Sequence, residues 1–265
     1  MCTPCGDRSL PAFLGWIVLP TLGDATTIVV LQTPDQVLVA ADARAVSLLA
    51  DSGVPATATR QVCKIVRTPH TVIALAGILG NLSEFDTRGF VQENLSVDTT
   101  LENAADRLAQ KSIAPLTAVI DGLAHTAPSQ TLIIPGRPAL SIVLTRFENG
   151  GTRVAIRDIV YTGRAAGAPE FRIQSTNCPG DCKGPHMVFA AGASDAVTRF
   201  LMSRSVRVRL KDPAFALDLL RVEAAAEPSI VGPPFSVLQG DRTGFRWIEA
   251  GACQDNDVTV ARSQP

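Results

Sequence analysis

The sequence predicts an α+β fold, a four-layer αββα sandwich in which two mostly antiparallel sheets are flanked by helices. Strand patterns and helix patterns are grouped along the chain rather than strictly alternating, which disfavours a doubly wound parallel sheet. The 265 residues are 46% hydrophobic and 18% charged. That is enough apolar material for one large core, and it excludes intrinsic disorder as the main description.

The predicted strands are short runs of apolar and β-branched residues bounded by turn residues. They cover residues 27–31, 37–41, 62–66, 71–75, 141–147, 152–162, 187–191, 235–238 and 245–249. The first two form a hairpin around Thr33-Pro34-Asp35, and residues 148–151 form the turn of a second hairpin. Two segments rich in turn-forming residues, 47–61 and 163–185, are predicted to be loops.

Helices are predicted where apolar residues recur at helical spacing. A helical region opens at residues 77–80, and a second segment at 100–125 keeps its apolar stripe despite Pro115. Two further helices are predicted at 194–205 and 212–227.

Charge and aromatic content exclude one broad class of function. The formal net charge is −1, and aromatic residues make up 5% of the chain. A nucleic-acid-binding protein usually carries a basic excess or a set of stacking aromatic side chains. We therefore predict no nucleic-acid partner.

The first 25 residues have the pattern of a leader. Residues 10–22 are apolar but too short to span a bilayer comfortably, and Gly23-x-Ala25 is a small-x-small cleavage signature. A signal peptide at 1–25 predicts a periplasmic or secreted protein, with one domain at 26–265. A propeptide removed by another route, an overextended translation start, or an uncleaved membrane tether at residues 10–22 stay open; without a signal peptide we expect a cytoplasmic protein.

Four cysteines remain after a cut at Ala25, namely Cys63, Cys178, Cys182 and Cys253. An even number is compatible with two disulfides in an exported protein, and also with four thiols in a cytosolic one. Cys178, Cys182 and His186 follow one another at four-residue spacing, which is not a common zinc signature. A loop disulfide or free thiols are the preferred interpretation there, and the histidines His70 and His125 are interpreted as solvated.

Three chemical groups converge in the first fifty residues after the leader. Thr26 and Thr27 begin a strand, Asp42 ends its hairpin partner, and Lys64 lies in the next apolar strand. A lysine with apolar neighbours must find a partner or lose its charge, and Asp42 is a plausible partner.

This is the arrangement that an N-terminal threonine nucleophile needs. A threonine hydroxyl is a poor nucleophile until a base takes its proton. Cleavage after Ala25 would give Thr26 an α-amino group with a pKa of about 7.7–8.0, near the range of a general base. The Lys64 ammonium would lower that pKa further, and the backbone N–H of Gly77 would help to hold the oxyanion.

These residues resemble the β-type subunits of the proteasome and their bacterial relatives, in the N-terminal nucleophile hydrolase superfamily. That family begins its mature chain with threonine and has Asp-x-Arg-Ala at the end of the second strand. It has a lysine in the third strand and a small residue before glycine ahead of the first long helix. The matching positions here are Thr26-Thr27, Asp42-Ala43-Arg44-Ala45, Lys64 and Ala76-Gly77. The resemblance spans most of residues 26–250 and is specific in the first fifty.

The chain departs from the family pattern in its later half. A Gly-Ser-Gly element is replaced by Ala190-Ala191-Gly192-Ala193-Ser194. The supporting Asp and Ser of the family align with Pro228 and Val231, and Glu227 substitutes for the Asp only with a shift. The trio of Thr26, Asp42 and Lys64 is intact, but its supporting residues are fewer.

The resemblance implies a threonine-type peptidase or amidohydrolase with the N-terminal nucleophile hydrolase fold. Thr26 would be nucleophile and base, Lys64 would tune its amine, Asp42 would hold Lys64, and Arg44 would order the site. It implies no metal or organic cofactor, peptide or protein substrates, and assembly into a homo-oligomeric ring. The alternative is a catalytically weak or inactive subunit that acts as a scaffold or assembly partner.

Overall fold

A computed structural model describes residues 26–46, 59–78, 100–126, 134–148, 150–203 and 207–253. The leader at 1–25 and the helical region predicted to open at 77–80 lie largely outside the described residues. No helix within the described part of the chain combines the length and the apolar character that crossing a membrane requires.

Two five-stranded antiparallel sheets form the centre of the molecule. The first sheet has the order β10-β1-β2-β11-β12 and the second has the order β5-β6-β7-β8-β9. Strands of the first sheet are β1 (Thr27–Gln32), β2 (Gln36–Asp42), β10 (Met187–Gly192), β11 (Phe235–Asp241) and β12 (Gly244–Glu249). Strands of the second are β5 (Ile65–Arg67), β6 (Thr71–Gly77), β7 (Arg137–Glu148), β8 (Gly151–Ala165) and β9 (Ala168–Cys178). A separate pair joins β3 (Arg44–Val46) to β4 (Thr59–Gln61).

Helices cover the outer faces of the sheets. Helix α1 (Leu101–Thr126) packs on the second sheet, and α2 (Asp195–Met202) and α3 (Pro213–Ala226) pack on the first. Three buried apolar layers therefore form the core. One lies between α1 and the second sheet, one between the two sheets, and one between the first sheet and helices α2 and α3. The predicted αββα sandwich is confirmed.

The position of β1 in the interior of the first sheet explains the apolar run in its sequence. All six of its residues are buried. Ile28 and Val30 face the layer between the sheets, whereas Val29 and Leu31 face the helices. A strand covered on both faces needs a continuous apolar run, which here is Ile28 to Leu31 between the polar ends Thr27 and Gln32.

Two predicted loops contain strands. The segment 163–185, predicted to be a loop, contains β9, which pairs with β8 around a turn at Ala166 and Gly167 with positive φ. Phe171 and Ile173 of β9 pack toward α1, while the opposite face of the strand is largely exposed. The other predicted loop, 47–61, ends in β4, which the pairing with β3 stabilises.

Candidate active site

The first hairpin brings the two predicted threonines to the end of β2. Thr26 immediately precedes β1, and both Thr26 and Thr27 are buried. Ile28 pairs with Ala41, so the next position on each strand places Thr27 beside Asp42. The Thr27 amide donates to Asp42 Oδ1 at 2.8 Å.

Asp42 and Lys64 form a buried ion pair. Lys64 Nζ lies 2.8 Å from Asp42 Oδ1, and both side chains have 0% exposure. The same ammonium donates to the carbonyl of Arg44 at 2.6 Å. Because the Thr27 amide and the Lys64 ammonium share one oxygen of Asp42, the ammonium lies within two hydrogen-bond lengths of the start of β1.

The second oxygen of Asp42 accepts two backbone amides. Arg44 N donates to Oδ2 at 3.0 Å, and Gly232 N donates at 3.3 Å. Four donors therefore bind one carboxyl group. A carboxylate can accept all four, because both of its oxygens are acceptors only. Asp42 joins β1, β2, Lys64 and the segment before β11 at one point.

Burial sets the electrostatics of Lys64. Removal of the ammonium from water lowers its pKa from 10.5 to about 8, although the attraction and hydrogen bond of Asp42 raise it. Burial therefore outweighs the ion pair. The side chain changes its charge close to the pH at which an α-amino group titrates.

Arg44 fastens the end of β2 to the chain before β11. Its guanidinium donates to the carbonyl of Pro228, the position where the sequence lacks the family's aspartate. A side chain at Gly232 would meet this guanidinium, because a Cβ there would lie 2.7 Å from Arg44 Cζ. In this chain the guanidinium of Arg44 is therefore bound by the Pro228 carbonyl and fits in the space left by the missing side chain of Gly232.

The turn after β10 holds the carbonyl of Thr26. Gly192 has φ +74, and a Cβ there would lie 1.9 Å from Thr26 O. Ala193 N donates to the same carbonyl at 2.7 Å, and Thr27 Oγ1 donates to Ala193 O at 2.5 Å. Sequence reasoning missed these contacts, although the run of small residues at 190–194 was the signal for a close approach.

Gly77, the predicted oxyanion donor, ends β6 at φ +106. A Cβ at this position would lie 2.4 Å from Ala139 O, so packing against β7 requires glycine here whether or not a substrate binds. Its neighbour Ala76 would be 3.3 Å from a Cβ on Gly192. Gly77 thus adjoins the turn that contacts Thr26, and its oxyanion role stays a prediction.

The four cysteines within the described residues form two disulfides. Cys63, the residue before Lys64, is bonded to Cys253, and Cys178 is bonded to Cys182. His186 is exposed, as is His70. Within the described ranges, no group of three or more His, Cys, Asp or Glu side chains is placed to hold a metal ion.

Fold and site together define an αββα sandwich with a buried lysine–aspartate pair at the start of its central strand. No protein-family model and no curated protein matches the chain. Among solved structures, the chain is similar to a Gly-1 mutant of Anbu from Hyphomicrobium sp. strain MC1. The identity is 18% and the TM-score 0.49, over 87% of this chain and 88% of that one. We draw no functional conclusion from a likeness at that level.

Proposed function

We propose that this protein is a threonine-type N-terminal nucleophile hydrolase, a proteasome-like peptidase that cleaves amide bonds after removal of residues 1–25. The observation that carries the proposal is the buried Lys64–Asp42 pair, whose shared oxygen also accepts the Thr27 amide. Burying an ammonium costs free energy of folding. Because the Lys64 ammonium lies beside Thr27, the residue after Thr26, it is placed to act on the Thr26 amine.

In the proposed reaction, the α-amino group of Thr26 takes the proton of the Thr26 hydroxyl as the oxygen attacks the substrate carbonyl carbon. The carbonyl π electrons move to its oxygen, and the tetrahedral intermediate collapses with cleavage of the C–N bond. The leaving amine takes the proton from the Thr26 ammonium, and an ester remains. Water then gives a proton to the Thr26 amine and attacks the ester carbon. The second tetrahedral intermediate collapses with cleavage of the bond to the Thr26 oxygen, which takes the proton back from the ammonium, so the acid is released and the hydroxyl is restored.

Lys64, Asp42 and Arg44 have supporting roles in this proposal. The positive charge of Lys64 favours the neutral form of a nearby amine and so keeps a base available at neutral pH. Asp42 fixes the ammonium, and Arg44 contributes its carbonyl to the ammonium and its guanidinium to the chain at Pro228. Gly77 N–H is proposed as an oxyanion donor.

A non-enzymatic scaffold is the second candidate, and one observation favours it. The positions aligned with the family's supporting aspartate and serine are Pro228 and Val231, neither of which has a side chain that exchanges protons. A subunit that has lost these groups but keeps its fold would serve assembly rather than hydrolysis.

One experiment separates the two candidates. The chain is produced with a cleavable leader so that it begins at residue 26, and release of a fluorescent amine from peptide amides is measured. We expect Thr26→Ala to lower kcat by about a thousandfold or more, because the nucleophile is lost, and Thr26→Ser to retain activity because hydroxyl and amine remain. Equal rates for wild type and Thr26→Ala would exclude the hydrolase mechanism.

Maturation and assembly are further parts of the proposal. N-terminal sequencing of the protein isolated from its native source is expected to begin at Thr26, and the compartment follows from whether residues 1–25 act as a signal peptide. The mass in solution is expected to be that of a homo-oligomeric ring. A chain that keeps its leader would favour the scaffold candidate.

A further inference from the structure

Glu223 is a buried carboxylate that the proposed reaction does not use. It lies on α3 and has 1% exposure. Its Oε2 accepts the amide of Val197 at 2.9 Å, and the nearby amide of Ala196 also lowers the pKa of this carboxyl. Both amides belong to the first turn of α2, so a side chain from one helix caps the other.

The first turn of α2 needs this outside acceptor. Ser194 occupies the N-cap position, but its side chain makes no capping hydrogen bond. The first amides of a helix have no partner within it, and a negative charge there is favoured by the helix dipole. Glu223 therefore supplies both the acceptor and the charge that Ser194 does not.

The helix turn that Glu223 caps directly follows the Gly192–Ala193 turn that contacts Thr26. Ala193 precedes Ser194, and its amide binds the carbonyl of Thr26 while its carbonyl accepts the hydroxyl of Thr27. The path from the carboxylate to the proposed nucleophile therefore consists of one helix turn and the backbone hydrogen bond from Ala193 to Thr26, beside which the Thr27 hydroxyl binds the Ala193 carbonyl.

We propose that Glu223 is a positioning residue for Thr26, which acts by fixing the start of α2 and with it the Gly192–Ala193 turn. This inference rests on the proposed function. It assigns to a carboxylate on α3 part of the support that the family's serine and aspartate give, and that this chain lacks at positions 193, 228 and 231.

The positioning effect depends on the charge of Glu223. Burial is the largest influence and raises its pKa above the ordinary value, the two amides lower it, Asp195 raises it and Arg199 lowers it. Glu227 and Arg137 in turn face Asp195. Above its raised pKa the ionised carboxylate accepts with full negative charge, whereas below it the carboxyl is neutral and its hydrogen bond to the helix start is weaker. The support is therefore present above the raised pKa and weakens as the pH falls through it.

The test compares wild type with Glu223→Gln, which keeps the volume and one acceptor oxygen and resembles the protonated carboxyl at every pH. Both chains begin at Thr26, and kcat and KM for a peptide amide are measured from acid to alkaline pH. We expect kcat of the variant to be about tenfold lower at the alkaline end of the range, the equivalent of one charge-assisted hydrogen bond, with KM unchanged. The ratio of the wild-type kcat to the variant kcat should fall toward one as the pH is lowered, because protonated Glu223 resembles Gln. Other groups titrate equally in both chains, so they do not change this ratio.

A matched control removes a charge from the same helix without touching α2. Asp218 lies on α3 and pairs with Arg209 and Arg221 at the surface, and Asp218→Asn is expected to leave kcat unchanged. Hydrogen exchange of the Ala193 amide gives a readout that does not need activity. We expect it to be about tenfold faster in Glu223→Gln and unchanged in Asp218→Asn.

A kcat ratio that is constant across the pH range, a change in KM instead of kcat, or an unchanged Ala193 exchange rate would each overturn the inference. Failure of the proposed function is recognised separately. If wild type starting at Thr26 hydrolyses no amide, the hydrolase proposal fails, while the exchange rate of Ala193 still decides whether Glu223 holds this turn.

Discussion

Lys64 carries a charge that the fold has removed almost entirely from water. Its partners are the Asp42 carboxylate and the Arg44 carbonyl, and both oxygens are supplied by residues at the end of β2 or just after it. A buried ion pair contributes little net stability, because desolvation offsets the attraction. We infer that this pair is better explained by chemistry at Thr26 than by stability.

The titration of Lys64 can be measured directly, since the sequence has only four lysines, Lys64, Lys111, Lys183 and Lys211. With ¹³C at the lysine Cε carbons, one of the four resonances is expected to titrate near pH 8, because burial lowers the pKa of Lys64 to about 8. In Lys64→Met that resonance should be absent. In Asp42→Asn its pKa should fall further, because the aspartate raises it. A set of four resonances that all titrate well above pH 9 would contradict the burial of this ammonium.

The residues of the site divide into those that sequence could predict and those that it could not. Thr26, Asp42, Arg44 and Lys64 were predictable because hairpin geometry and side-chain chemistry bring them together over a short stretch of chain. Ala193 and Glu223 were not, because one acts through its backbone and the other through a helix that is distant in sequence. Their roles exist only after β10 has paired with β1.

At the scale of elements, strands with a clear apolar run were predicted, whereas β9 and β4 were missed. The hairpin of β1 and β2 is confirmed, and it was predictable because each strand has a continuous apolar centre and a turn lies between them. β9 was missed because it is an edge strand with only one apolar face, and Arg172 and Gln174 on the other face are exposed. β4 was missed because three residues carry too little pattern to identify a strand.

The turn between β10 and α2 is the element that requires the closest backbone approach in the site. We expect Gly192→Ala to lower the free energy of unfolding by about 3 kcal/mol, from left-handed backbone strain together with a clash against the Thr26 carbonyl. The measurement is urea denaturation. Gly150→Ala is the matched control, since Gly150 has φ +77 but nothing within 4 Å of a Cβ.

The control variant should lose only about 1 kcal/mol, which is the strain alone. Equal losses at the two glycines would mean that the turn can move away from Thr26, and that the contact between Gly192 and Thr26 is not a constraint of the fold.

At the scale of the whole molecule, the layer between the sheets joins distant parts of the chain. Grouped strand and helix patterns predicted the layers, but sequence alone could not predict which strand lies beside which. Thr27 pairs with Gly192, and Asp42 pairs with Phe235, so the site is assembled from strands far apart in sequence. The Cys63–Cys253 bond lies in the same layer and spans 190 residues.

This long-range bond should be a major contributor to the stability of the whole fold. A cross-link stabilises mainly by restricting the unfolded chain, more so for a longer loop. The entropy model gives about 5 kcal/mol for a loop of this length and about 2 kcal/mol for the short Cys178–Cys182 loop. We expect the Cys63→Ala/Cys253→Ala double variant to lose more than twice the free energy of unfolding that Cys178→Ala/Cys182→Ala loses, as measured by urea denaturation under oxidising conditions.

The two double variants remove the same number of cysteines and differ mainly in the length of the loop they open, so the comparison isolates the effect of chain restriction. A reducing agent should bring wild type close to the sum of the two losses, because the loops are opened at the same bonds. If the two double variants instead lost equal stability, the cross-link would not restrict the unfolded chain over its length. Lys64, which directly precedes β5 instead of lying within a strand as predicted, would then be held by packing between the sheets alone.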